Sequence, residues 1–162
     1  MSCKCKEKDI GVLKVKLNHP DAKVPDQAHP NSDAGYDLVA INDGIDVFTD
    51  SGDYLFTEYD TGISVEPPDG YHTEIVARSS ITKKNLILKN SIGIIDNGYR
   101  GSCLCRFHKT GDIDTTNVYK KGDKIAQLII RKTIHMPLMV VDTLSDTERG
   151  VGGFGHSDQK KV

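Results

Sequence analysis

The chain is cut into short segments, most of them only four to eight residues long, and turn chemistry ends each one. Leu13-Lys14-Val15-Lys16-Leu17 alternates apolar and charged side chains with period two, the pattern of a half-buried strand. Strands of this kind are predicted over Asp46–Phe48, Tyr54–Tyr59, Gly62–Glu66, Tyr71–Ala77, Leu86–Lys89, Gly101–Phe107, Lys124–Arg131 and Ile134–Val141. Asp43-Gly44, Ser51-Gly52, Pro67-Pro68-Asp69-Gly70, Asn97-Gly98 and Lys121-Gly122 punctuate them, and each offers a residue suited to a tight turn. Only Ser79–Leu86 has a helical start, with Ser79 as the cap. Strands at this spacing imply an all-β sandwich or barrel.

The 162 residues fit one domain. Lys and Arg number 21 against 23 Asp and Glu, a net charge of −2, which argues against a nucleic-acid-binding face. Apolar stretches such as Leu128–Ile130 and Leu138–Val141 are too short to cross a bilayer, so no membrane partner is expected. The opening MSCKCKEKD has no apolar signal-peptide core, and the expected location is cytoplasmic, or nuclear in a eukaryotic or viral setting. Residues 1–10 read as a disordered tail, 11–148 as the β domain, and 149–162 as a flexible glycine-rich arm. The cysteines form two C-x-C pairs, Cys3/Cys5 and Cys103/Cys105; free thiols are the expected state, with a zinc site the minority alternative.

Several polar or glycine-rich segments stand out from this framework. Gly150-Val151-Gly152-Gly153-Phe154-Gly155 matches a dinucleotide fingerprint on paper, but no helix can follow it in the seven residues left. Its backbone N–H groups can still approach an anion, with Arg149 and His156-Ser157 beside them and Phe154 offering a flat face for stacking. Arg78-Ser79-Ser80 gathers a cation and two hydroxyls at a helix start. Gly93–Gly101 reads as two strand edges around an Asn-Gly hairpin turn, where Asp96 either caps the turn or acts chemically. Gln127 is one polar residue inside an apolar strand, so it needs a partner.

Taken in order, AGYDL at 34–38, RSS at 78–80, GIIDNGYRG at 93–101, GDKIAQL at 122–128 and RGVGGFGHS at 149–157 resemble the five motifs of the trimeric dUTP pyrophosphatase (dUTPase) family. The resemblance implies a jelly-roll-like β-barrel that assembles as a homotrimer, with active sites at subunit interfaces. It implies Mg²⁺-assisted hydrolysis of dUTP to dUMP and pyrophosphate. Asp96 is then the general base for the attacking water, and Tyr99 packs under the deoxyribose. Asn90 and the backbone of Ile92–Ile95, Gly93 and Ile95 included, read the uracil edge. Arg78, Ser79 and Ser80 hold phosphates, and Gln127 meets the α-phosphate. Arg149, Gly155, His156 and Ser157 close on the γ-phosphate end, and Phe154 stacks on the base. Asp37 touches the metal only through water, the ion sitting mainly on the triphosphate. The chain departs from the family pattern at Ala77, where Pro is common, at Ser80, where Gly is common, and at Asp158. The related dCTP deaminases, bifunctional forms included, carry a catalytic Glu at the position of Arg106 here. No Glu lies between Glu74 and Glu148, so deamination lacks its base. A non-catalytic nucleotide-binding homologue is the other alternative.

Overall fold

The computed structural model describes residues 11–30, 32–111 and 117–153. Ten antiparallel-paired strands run in chain order as β1 (Lys14–Leu17), β2 (Tyr36–Val39), β3 (Ile45–Phe48), β4 (Tyr54–Asp60), β5 (Ile63–Glu66), β6 (Tyr71–Ala77), β7 (Leu86–Leu88), β8 (Ile92–Ile95), β9 (Leu104–Lys109) and β10 (Lys124–Lys132). They form two four-stranded sheets, β2-β10-β6-β8 and β3-β4-β9-β7, with β1 and β5 as a separate pair. The all-β, jelly-roll expectation holds, although the hydrogen bonding gives two facing sheets and not a closed ring.

Alternation decides what faces inward. Leu38, Ile75, Ile95, Ala126 and Leu128 come from the first sheet and Tyr59, Leu86, Leu88, Cys105 and Phe107 from the second, all of them buried. Tyr59, Phe107 and Tyr119 pack edge to face or tilted, with centroids 5.6–6.1 Å apart. Tyr59 donates to the Tyr119 carbonyl at 3.1 Å, and burial is the main cause pushing its phenol up to about 12. Cys103 and Cys105 are buried free thiols, as expected; burial pushes Cys103 up to about 12 and Cys105 upward too, so neither is a ready nucleophile.

Three expectations need correction. Ser79–Lys83 is a single 3₁₀ turn whose cap is the extended Arg78, not Ser79, and no side chain caps it. Asn97-Gly98 does form a turn, closed by Tyr99 N–H donating to the Asp96 carbonyl at 3.0 Å, but it joins no hairpin. The strands on either side diverge: β8 pairs with β6, whereas β9 pairs with β4 and β7. Ile134–Val141 forms no strand. Pro137 has no N–H to give a ladder, and among the described residues no strand pairs with the segment. Leu138 and Val140 are fully exposed there, at 98% and 99%.

Candidate active site

The divergence of β8 from β9 opens a cavity of about 520 Å³. Asn90, Gly93, Ile95, Asp96 and Tyr99 all line it, joined by Ser102 and Phe56. Local backbone geometry explains how they converge. Ser91 takes a left-handed φ of 60°, uncommon for a residue with a side chain, and this turns Asn90 back over β8. A Cβ on Gly93 would stand 3.2 Å from the Asn90 amide nitrogen, so glycine leaves room for that amide. A Cβ on Gly101 would stand 2.2 Å from the Tyr99 hydroxyl, so glycine is required where the Tyr99 side chain folds back over the turn.

Asp96 is held from behind. The Asn97 side-chain amide donates to the carbonyls of Pro67, Pro68 and Tyr71 at 3.0–3.1 Å, tying the Asp96 turn to the Pro-Pro-Asp-Gly turn. Among the described residues no cation pairs with the Asp96 carboxylate, which leaves it to meet a water in the cavity.

A second cluster lies on β2, β10 and the end of β6. Asp37, Gln127 and Val76 are cross-strand partners, so their side chains share one face. Arg78 Nε donates to Asp37 Oδ1 at 2.8 Å, and Lys124 Nζ stands 2.9 Å from Asp37 Oδ2. Another Arg78 nitrogen reaches Ser80 Oγ and the Lys124 carbonyl, each at 3.3 Å. Burial raises the Asp37 carboxyl, but Lys124 and Arg78 outweigh it and hold the group below the usual carboxylate value. Gly35 belongs to the same packing, since a Cβ there would sit 2.6 Å from Ile129 Cδ1 and 3.1 Å from Gln127 Cβ.

Asp37 therefore positions Arg78, and the sequence does not reveal its second partner, Lys124. Asp37→Asn leaves two cations short of a buried counter-charge and should cost about 2–4 kcal/mol of stability. The depressed folded pKa sets the sign: the wild-type gain is present above the unfolded value of about 3.9 and is lost as pH falls through the folded one. Melting curves of both proteins should differ most at neutral pH and converge as pH falls through the folded value, below the unfolded one; a constant gap down to acid would contradict the assignment.

The two clusters are far apart within one chain. Thr73 of β6 pairs with Ile95, so Asp96 lies level with His72, six residues from Arg78 along the strand. At a strand's rise per residue this is about 20 Å. Arg78 is turned toward Asp37. Asp96 and Arg78 of one chain cannot both serve one phosphorus. Arg149 is exposed and its Nε donates to the Gly152 carbonyl at 2.7 Å. Phe154, Gly155, His156 and Ser157 lie outside the described residues.

Besides Lys124 and Asn97, the sequence also left Phe56, Lys89 and Ser102 unmarked as cavity residues, and it singled out Arg106 only as the position of the deaminase Glu. Nothing short of the strand pairing identifies them, because they come from β4, the end of β7 and β9.

A family model described as dUTPase matches residues 21–158. Two curated relatives are named deoxyuridine 5'-triphosphate nucleotidohydrolase. The Thermobifida fusca protein is 38% identical over 90% of this chain and 79% of its own length. The Clostridium tetani protein is 38% identical over 88% of this chain and 94% of its own. Among solved structures, a mutant dUTPase of Staphylococcus bacteriophage 80alpha with dUpNHpp superposes with a TM-score of 0.72 at 26% identity, covering 90% of this chain and 98% of that one.

Proposed function

The chain belongs to the dUTPase family, and from that membership we propose that it hydrolyses dUTP to dUMP and pyrophosphate through a water activated by Asp96. The observation that supports this most is the cavity itself, in which the base-reading Asn90 and Gly93, the sugar-packing Tyr99 and the Asp96 carboxylate share one wall. The nucleoside enters between the diverging strands β8 and β9. Tyr99 then lies against the deoxyribose and leaves no room for a 2′-hydroxyl. Asp96 takes a proton from water as the water attacks the α-phosphorus, and pyrophosphate leaves. Arg78, Ser79, Ser80 and Gln127 spread donors over the phosphates, where negative charge builds in the transition state.

Mg²⁺ fits this site as an ion carried on the triphosphate. Among the described residues no group of three or more His, Cys, Asp or Glu side chains is placed to hold a metal. Each Asp37 oxygen meets one cation, Arg78 or Lys124, and its remaining lone pairs would accept from a metal-bound water. Bound there, the ion neutralises phosphate charge.

The working unit is a homotrimer. A separation of about 20 Å between Asp96 and Arg78 supports phosphate-holding residues that come to each cavity from another subunit. The outer face of the first sheet also exposes Ile92 at 50% and Ile94 at 67%, and Ile134–Val141 leaves an apolar run uncovered. A second chain would bury both.

The test is a specificity assay on the purified protein with Mg²⁺, alongside its native mass. Pyrophosphate release from dUTP should exceed that from dCTP, dTTP or UTP by at least about 10²-fold, at a mass three times that of the chain. Ammonia release from dCTP would instead identify a deaminase, and equal turnover of UTP would remove the role given to Tyr99.

A further inference from the structure

Phe56, Lys89 and Arg106 line the same cavity as Asn90 and Asp96. Lys89 N–H donates to the Arg106 carbonyl at 2.9 Å, so both cationic side chains leave the backbone beside Asn90. Arg106 stacks on Phe56 with its guanidinium carbon 4.6 Å from the ring centroid, and Lys89 Nζ lies 5.4 Å from the same centroid. Glu58 takes Arg106 Nε at 2.8 Å. That bond occupies Nε, and among the described residues no hydrogen bond takes the terminal nitrogens.

We propose that Arg106 is a specificity-determining residue that selects uracil over cytosine at the base edge read by Asn90. The inference rests on the dUTP reading and adds a source of selectivity to it. Guanidinium and ammonium groups only donate hydrogen bonds and cannot change role. The base edge that meets them must therefore accept. Uracil carries a carbonyl at O4, which can accept from these groups; cytosine carries an amino group at the same ring position, which would set donor against donor. Thymine has the same O4 carbonyl as uracil, so Arg106 does not discriminate between those two. The position thus carries a donor where proton-shuttling deamination would need a carboxylate.

The experiment compares wild type with Arg106→Met and Arg106→Lys, using kcat/KM for dUTP, dCTP and dTTP together with dUMP and dCMP affinities. Arg106 is half exposed, with 52% of its side chain accessible, so both variants should melt with the wild type. Arg106→Met should reduce the dUTP-to-dCTP ratio at least about 10-fold while leaving the dUTP-to-dTTP ratio unchanged, and Arg106→Lys should restore most of it. The dUMP-to-dCMP affinity ratio should fall in parallel, which a loss of packing alone would not produce. An unchanged dUTP-to-dCTP ratio in Arg106→Met, or an equal fall in both ratios, overturns the proposal. Failure of the wild-type protein to hydrolyse dUTP would instead overturn the function on which it rests.

Discussion

Asp96→Asn should lower kcat on dUTP by about 10²–10⁴-fold, the usual contribution of a positioned general base, with little change in nucleotide affinity. The substitution keeps the size and planarity of the side chain and removes only its capacity to take a proton. Nothing that positions the turn depends on the carboxylate: the Asp96 carbonyl receives the Tyr99 N–H, and Asn97 anchors the loop through three carbonyls. The cavity wall around Asn90 and Gly93 is likewise untouched. Single-turnover kinetics should therefore lose the chemical step, while calorimetry with dUMP reports the wild-type dissociation constant. A parallel loss of affinity and turnover would make Asp96 a turn-capping residue, the simpler role open to it from sequence.

Period-two alternation made most strands legible because a strand with one wet face records its burial in the chain. The pattern does not mark β2. Tyr36-Asp37-Leu38-Val39 buries Asp37 as well as Leu38, and that charge is tolerated only because Arg78 and Lys124 arrive from distant strands. The Asn-Gly signal was right about a turn and misleading about a hairpin. A turn is a local event, whereas the pairing of β8 with β6 is decided by the whole sheet. Ile134–Val141 has the composition of a strand but no partner strand among the described residues, and composition cannot supply one. The motif residues were found because chemistry restricts what can stand there. Lys89 was not, since a charged residue beside a strand is most often a solvated face, and only the cavity gives it another surrounding.

Removing residues 149–162 should leave a folded protein with an unchanged melting temperature and a kcat/KM on dUTP reduced by about 10²–10³-fold. The stability half of the expectation follows from the core, whose buried apolar residues, among the described residues, run from Leu38 to Leu128 and include nothing beyond. The described part of the segment, residues 149–153, bonds mainly to itself and to Thr147: Arg149 to the Gly152 carbonyl, and Gly150 N–H to the Thr147 carbonyl and hydroxyl. Val151 is fully exposed. These contacts are local to the segment, so their loss costs the sheets nothing. The activity half follows from chemistry. The segment carries Arg149, His156 and Ser157, donors suited to the γ-phosphate end, together with Phe154, the aromatic face suited to the base. Four glycines among these residues allow the backbone to come close to a bound triphosphate, where a bulkier chain would be held off. Closing such a segment over the nucleotide excludes water and adds cationic contacts when charge moves toward the leaving pyrophosphate. The deletion should then leave dUMP affinity less affected than dUTP turnover, because dUMP has no γ-phosphate to lose. A truncated protein with full activity would remove the segment from the mechanism, and one that melts early would give it a structural role instead.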